Sequence, residues 1–194
     1  MVKFSKDSLV ICVATCLIFT SAVAAESSGW SKTESVVRRE GEVVSYRARL
    51  DGDTLVVEVT HAPGWHTYAM DNTERARKKS GKEKPDTELP TRIEVAGGIE
   101  VIGPWRQTDP EDLSQEEIEW YTWGFEGTAH FAAQIRRTSD DPARVRIRAQ
   151  ACNATSCSMI DGLILDLPMT PVEFEAPASG RMDLPDLVPV TFVK

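Results

Sequence analysis

Glu42-Val43-Val44-Ser45-Tyr46-Arg47-Ala48-Arg49-Leu50, Asp51-Gly52-Asp53 and Thr54-Leu55-Val56-Val57-Glu58-Val59-Thr60-His61 form the run that decides the fold class. In an extended chain Val44, Tyr46, Ala48 and Leu50 share one face, and Ser45, Arg47 and Arg49 share the other. Period-two alternation of this kind marks a strand buried on one side. Asp51-Gly52-Asp53 is turn chemistry, and Leu55, Val57 and Val59 then resume the pattern, so the run predicts a β-hairpin.

Working outward, Ala62-Pro63-Gly64 breaks the pattern and Trp65 to Met70 predicts a short strand. Further short strands are expected at 91–95, 99–102, 129–136, 144–151 and 160–167, with Gly162 a bulge or turn near the start of the last. Residues 71–90 carry Arg75, Arg77, Lys78, Lys79, Lys82 and Lys84 with hardly an apolar residue, which predicts a solvated basic loop. The acidic stretch 109–119 predicts a loop or a single helical turn. No repeat and no long helical periodicity interrupts this pattern. The expectation is an all-β domain, an immunoglobulin-like antiparallel β-sandwich, with a closed barrel as the alternative that periodicity does not separate.

The ends read differently. Lys3 and Lys6, an apolar run from Leu9 to Phe19, and Ser21-Ala22-Val23-Ala24-Ala25 have the form of a signal peptide cleaved near Ala25. The run is short for a membrane span, and no other long apolar run follows, so the mature chain is expected outside the cytoplasm and not across a membrane. Residues 26–40 read as a polar arm, 41–170 as the domain, and 171–194 as a proline-rich tail of irregular or edge-strand character. A formal net charge of −8 argues against a general nucleic-acid binder, which needs a basic face to displace phosphate counterions.

Cleavage would remove Cys12 and Cys16 and leave Cys152 and Cys157. Two cysteines five positions apart in an exported chain should pair in an oxidising compartment. A strand leads into Cys152 and another leaves soon after Cys157, so the pair would staple a hairpin end. Such a small loop removes little unfolded-state entropy, which leaves a redox pair and a structural staple both open on spacing alone. A third reading has His66, or His61, join the reduced thiols around a metal, but an oxidised pair supplies no thiolates. Asn153-Ala154-Thr155 also matches a glycosylation acceptor, although it overlaps the cysteine turn.

Three stretches taken together resemble the amino-terminal periplasmic domain of the DsbD family of thiol:disulfide interchange proteins. They are Ala62-Pro63-Gly64-Trp65-His66-Thr67-Tyr68, Trp123-Gly124-Phe125-Glu126-Gly127, and Gln150-Ala151-Cys152 through Cys157, with Leu89-Pro90-Thr91 fitting the region between. The resemblance covers roughly residues 40–168. It implies an immunoglobulin-like sandwich with Cys152 and Cys157 as the catalytic redox pair and no cofactor. His66 and Tyr68 fall where the family places residues near that pair. The family's aromatic-bearing cap loop would correspond to the neighbourhood of Trp120, Tyr121 and Trp123. Electrons would arrive from a thioredoxin-like or membrane thiol donor and leave to oxidised exported proteins. Two departures stand out. Ser158-Met159 follows the second cysteine where family members often carry prolines, and the chain to Lys194 shows no membrane segment or thioredoxin-like domain, so donors in trans are expected. The rival from a different class is a non-catalytic exported binding domain with a structural disulfide.

Overall fold

A computed structural model of the chain describes residues 29–39, 41–168 and 186–192. The leader, its cleavage site, Cys12, Cys16 and most of the tail lie outside these residues. The elements in chain order are β1 (Glu34–Arg38), β2 (Gly41–Asp51), β3 (Thr54–His61), β4 (His66–Tyr68), α1 (Asn72–Ser80), β5 (Arg92–Ala96), β6 (Ile99–Val101), β7 (Arg106–Gln107), β8 (Glu111–Asp112), β9 (Trp123–Phe125), β10 (Thr128–Arg137), β11 (Arg144–Cys152), β12 (Cys157–Asp166) and β13 (Val188–Pro189). A 3₁₀ turn at Glu116–Ile118 lies before β9.

The strands form two antiparallel sheets, so the protein is an immunoglobulin-like β-sandwich. One sheet runs β1-β2-β3-β10-β7-β13, with β6 also on β10, and the other runs β12-β11-β4-β9-β8, with β5 also on β11. The opening hairpin forms as its alternation predicts: β2 and β3 pair from Val44↔His61 to Asp51↔Thr54. Val44, Tyr46, Ala48, Leu50, Leu55, Val57 and Val59 are all buried. Opposite them the second sheet supplies Val145, Ile147, Ala149, Ala151, Ile160 and Leu165. Phe125 of β9 and Phe131 of β10 bring one ring from each sheet into an edge-to-face contact at 5.5 Å, a favoured aromatic geometry.

Four expectations change. Residues 34–38 are part of the expected loose arm, yet they pair with β2 from Glu34↔Tyr46 to Arg38↔Gly41. The strand is hard to read because its side chains are half-buried or exposed, while its stability comes from the free edge of β2. Asn72–Ser80, expected as part of a solvated loop, is the helix α1. It buries only Asn72 and Ala76, too narrow a stripe to give a helical period. Gly81 ends it in the left-handed region at φ 70° and donates its N–H to Arg77 O at 2.9 Å, a conformation glycine adopts without steric cost. The last strand begins at Cys157 rather than 160. Finally, the acidic stretch holds its expected helical turn, at Glu116–Ile118, and also adds β8 on the edge of the second sheet.

Gly162 is the extra residue of a bulge, since Ile147 pairs with Leu163 while Arg148 pairs with Asp161. Its φ of +81° suits a residue without a Cβ. At the far end of the chain, Val188 and Pro189 lie on β7 as an edge strand. Leu187 and Val190 are buried there. Proline on an edge strand leaves no ladder hydrogen bond unmade.

Candidate functional site

The β11–β12 hairpin sets the geometry of the cysteine pair. Asn153 donates its N–H to Ser156 O at 2.9 Å, and Asn153 Oδ1 accepts from the N–H groups of Thr155 at 2.9 Å and Ser156 at 2.8 Å. This closes a tight turn in which the asparagine side chain organises the loop. The Cys152↔Cys157 pair follows directly outside it. A position next to a hydrogen-bonded pair is a non-hydrogen-bonded one, where opposed Cα atoms approach most closely. Here they stand 4.0 Å apart and the two sulfurs are bonded.

The two halves of the disulfide differ in access. Cys152 is 3% exposed, because β11 is an inner strand with β12 on one side and β4 on the other. Cys157 opens the edge strand β12 and is exposed. Arg38, at the end of β1, donates from Nη2 to Cys157 O at 2.6 Å, so the first sheet also holds this corner. Gln150 lies on β11 beside the pair. Its Nε2 donates to Cys152 Sγ at 3.4 Å, and its Oε1 accepts from the N–H of Leu89 at 3.2 Å.

Leu89 belongs to a segment that brings Glu88 to the sulfurs. One carboxylate oxygen of Glu88 and the Sγ atoms of Cys152 and Cys157 all lie within 4.8 Å of one another. Among the described residues no hydrogen bond or ion pair engages that carboxylate. The segment is fixed on both sides. Asn72 Nδ2 donates to Thr87 Oγ1 at 3.0 Å and to Glu88 O at 2.9 Å. Thr87 Oγ1 donates to Tyr121 O at 2.8 Å, and Thr91 Oγ1 donates to Tyr68 O at 2.6 Å. Asn72 itself is fully buried, and its Oδ1 accepts from Thr122 Oγ1 at 3.2 Å and from the N–H of Trp123 at 2.7 Å. Sequence reasoning missed Glu88 and Asn72. Neither stands in a motif, and only the fold brings them to β11 and β9.

The other expected residues are placed as follows. His66 lies directly opposite Cys152 in the β4–β11 register. Its Nε2 is 3.1 Å from Tyr68 Oη, with the rings edge to face at 5.4 Å. Burial lowers the His66 pKa from its ordinary value, against the opposing pull of Glu126 and Glu88. Burial likewise raises the Tyr68 phenol well above its ordinary value, with Glu88 adding to the rise. Tyr121 and Trp123 face α1 instead, with Lys79 Nζ 5.3 Å and 5.7 Å from their ring centres. Trp120 pairs with Gln115 in a β-bridge. Within this aromatic segment it is the backbone oxygen of Tyr121, through Thr87, that supports the loop at the sulfurs.

His61 and His130 do not join the pair. His61 is buried between Gly127 O, 2.8 Å from Nδ1, and Thr67 Oγ1, 2.8 Å from Nε2. His130 Nε2 lies 3.3 Å from Glu58 Oε2 on β3.

The family model described as "Thiol:disulfide interchange protein DsbD, N-terminal" matches residues 36–167. The chain belongs to this family. The DsbD N-terminal fold is also found in a solved structure, the N-terminal periplasmic domain of ScsB from Proteus mirabilis. That match has a TM-score of 0.50 and 16% identity, covering 79% of this chain and 54% of that one. This chain therefore spans only about half of the ScsB domain. The N-terminal domain of Neisseria meningitidis DsbD in the reduced form aligns with a TM-score of 0.35 at 12% identity, covering 59% of this chain and 74% of that one. Among curated proteins there is no sequence match. By family this is a DsbD N-terminal domain, and its disulfide lies at the end of the β11–β12 hairpin. Among the described residues no helix is long and apolar enough to cross a membrane.

Proposed function

We propose that this domain is exported, with its leader removed near Ala25, and relays electrons through Cys152 and Cys157 as the catalytic pair. The donor is a thioredoxin-like or membrane thiol protein, and the clients are oxidised exported proteins. The observation that carries this reading is the asymmetry of the disulfide, with an exposed Cys157 on an edge strand bonded to a buried Cys152. A partner thiolate meets Cys157 first. Attack on its sulfur forms an intermolecular disulfide, breaks the Cys152–Cys157 bond and releases Cys152 as the thiolate. Gln150 Nε2, 3.4 Å from that sulfur, is positioned to donate to the leaving group. The donor's second thiolate then attacks the mixed disulfide and frees Cys157, so two electrons have moved and the donor leaves oxidised. In the reverse sense the reduced pair attacks a client disulfide and is reoxidised. His66 lies opposite Cys152 across β4 and β11 and is hydrogen-bonded to the buried Tyr68.

The test is the reduction potential of the pair, measured by equilibrating the protein in graded thiol–disulfide buffers. A relay disulfide is expected at about −130 to −260 mV. A value below roughly −300 mV would make the bond a structural staple and leave a non-catalytic binding domain as the better reading.

A further inference from the structure

We infer that the reduced domain has a second use for the same corner: Cys152, Cys157 and Glu88 form a binding site for a thiophilic divalent cation of the zinc type. Three potential ligand atoms, two sulfurs and one carboxylate oxygen, already lie within 4.8 Å of one another. In a tetrahedral site with Zn–S of about 2.3 Å and Zn–O of about 2.1 Å, neighbouring ligand atoms stand roughly 3.6–3.8 Å apart. Reduction breaks the S–S bond and lets the sulfurs part toward that spacing, while the carboxylate closes by about 1 Å to reach it. The backbone that carries the carboxylate is held in place before any ion arrives. Hydrogen bonds from Asn72 to Glu88 O and from Leu89 to Gln150 fix the backbone on either side of it.

The carboxylate lies beside two sulfurs with no hydrogen bond or ion pair among the described residues. It has electrostatic reason to take a cation once thiolates form next to it. Two thiolates and a carboxylate leave a bound divalent ion with a net charge of −1, and the Arg38 guanidinium on Cys157 O supplies a nearby positive charge. The mixed ligand set favours zinc over copper(I), which selects soft sulfur ligands alone. His66, although opposite Cys152, directs Nε2 to Tyr68 and is not needed. The exposed side at Cys157 leaves a fourth position for water. Binding displaces the two thiol protons, so the metal would cap the reduced pair and compete with its reoxidation. The disulfide form offers no thiolate and should not bind.

The experiment uses the full chain carrying Cys12→Ser and Cys16→Ser, so that only the two site thiols remain. The protein is reduced anaerobically with a phosphine, its thiols are counted, and Zn²⁺ is titrated in competition with a chromophoric chelator. Co²⁺ serves as a second probe, whose thiolate charge-transfer absorption reports sulfur ligation. The expected result is one Zn²⁺ per reduced chain and none per oxidised chain. Cys152→Ser or Cys157→Ser should abolish binding. Glu88→Gln should weaken it by at least about tenfold, the loss typical even when only a group hydrogen-bonded to a metal ligand is changed, with the β-sheet circular dichroism unchanged. Failure of the fully reduced protein to take Zn²⁺, or equal affinity in Glu88→Gln, overturns the inference. So does copper(I) uptake in preference to Zn²⁺ without dependence on Glu88. Because the phosphine sets the redox state, these outcomes do not depend on whether the disulfide exchanges with partners.

Discussion

The Glu88 carboxylate lies within 4.8 Å of the sulfur of the exposed Cys157. A fixed negative charge there opposes formation of the attacking thiolate. At this distance, with water-like screening, the repulsion is about 1 kcal/mol. Glu88→Gln should therefore speed alkylation of the reduced pair at neutral pH by about two- to fourfold, less than the full thiolate gain because nucleophilicity falls as basicity falls. The measurement is the rate of iodoacetamide labelling at low and high salt. The difference between the two proteins should shrink as salt rises, and an unchanged rate at low salt would show that Glu88 does not act on the thiols.

The exposure difference between Cys157 and Cys152 predicts an asymmetric trapping result. Cys152→Ser leaves the accessible sulfur and should accumulate a mixed disulfide with a thioredoxin-like partner. Cys157→Ser leaves only the buried sulfur and should trap at least about tenfold less under the same conditions, because rates of exchange depend on access. Non-reducing electrophoresis after mixing with an activated partner distinguishes the two. Equal trapping would mean that the hairpin opens before exchange.

Much of this was legible in the residues themselves. The β2–β3 hairpin follows from an alternation that puts most of its large apolar residues on one face, with Val43 and Val56 on the other, and the Cys152–Cys157 pairing follows from two strands and a four-residue turn. What could not be read depends on contacts between distant segments. Strand β1 is stabilised by the edge it covers rather than by a buried face of its own. Helix α1 is held by the side chain of Asn72 rather than by an apolar stripe. Glu88 is one acidic residue in a polar run until Asn72, Thr87 and Gln150 fix the loop around it. The aromatic run 120–123 was easy to notice but its packing was not, since Tyr121 and Trp123 turn to Lys79.

His61 gives a prediction about pH. Its Nδ1 faces a carbonyl, which only accepts, so Nδ1 carries the proton and Nε2 accepts from the Thr67 hydroxyl. Burial lowers its pKa from the ordinary value of 6.5, only partly opposed by the Gly127 carbonyl. Below that ordinary value the unfolded chain gains a proton on this residue before the folded one does, so stability falls with pH from there down to the folded-state value. Urea unfolding at pH 7 and pH 5 should show a smaller loss in His61→Gln than in the unsubstituted protein. The same loss in both would assign the acid sensitivity to other groups.

Gly124 of β9 leaves no room for a side chain against β4. A Cβ there would stand 2.4 Å from Thr67 O and 2.9 Å from Leu113 Cδ1. The leucine can move, but the carbonyl belongs to the β4 backbone, paired at Thr67↔Phe125 and Tyr68↔Gly124. Gly124→Ala should therefore cost about 1–3 kcal/mol, the usual range for overpacking, as measured by thermal unfolding. A change smaller than about 0.5 kcal/mol would mean that β4 and β9 part without loss.

Asn72→Ala tests whether the loop at the sulfurs is built before the chemistry. The side chain is fully buried and joins Thr87, Glu88, Thr122 and Trp123 through both ends of its amide. Truncation leaves these groups without the partners they have in the folded protein. A cost of about 2–3 kcal/mol is expected from buried polar atoms left unpaired. Loss of stability alone would fit any buried asparagine, so the second readout is local. The Leu89 amide, bonded to Gln150, should exchange its hydrogen faster than amides of the β2–β3 ladder once global unfolding is accounted for. If that exchange stays in step with the ladder, Asn72 supports the sandwich without holding Glu88 at the disulfide. If it outruns the ladder, the carboxylate beside the cysteine pair is positioned from α1.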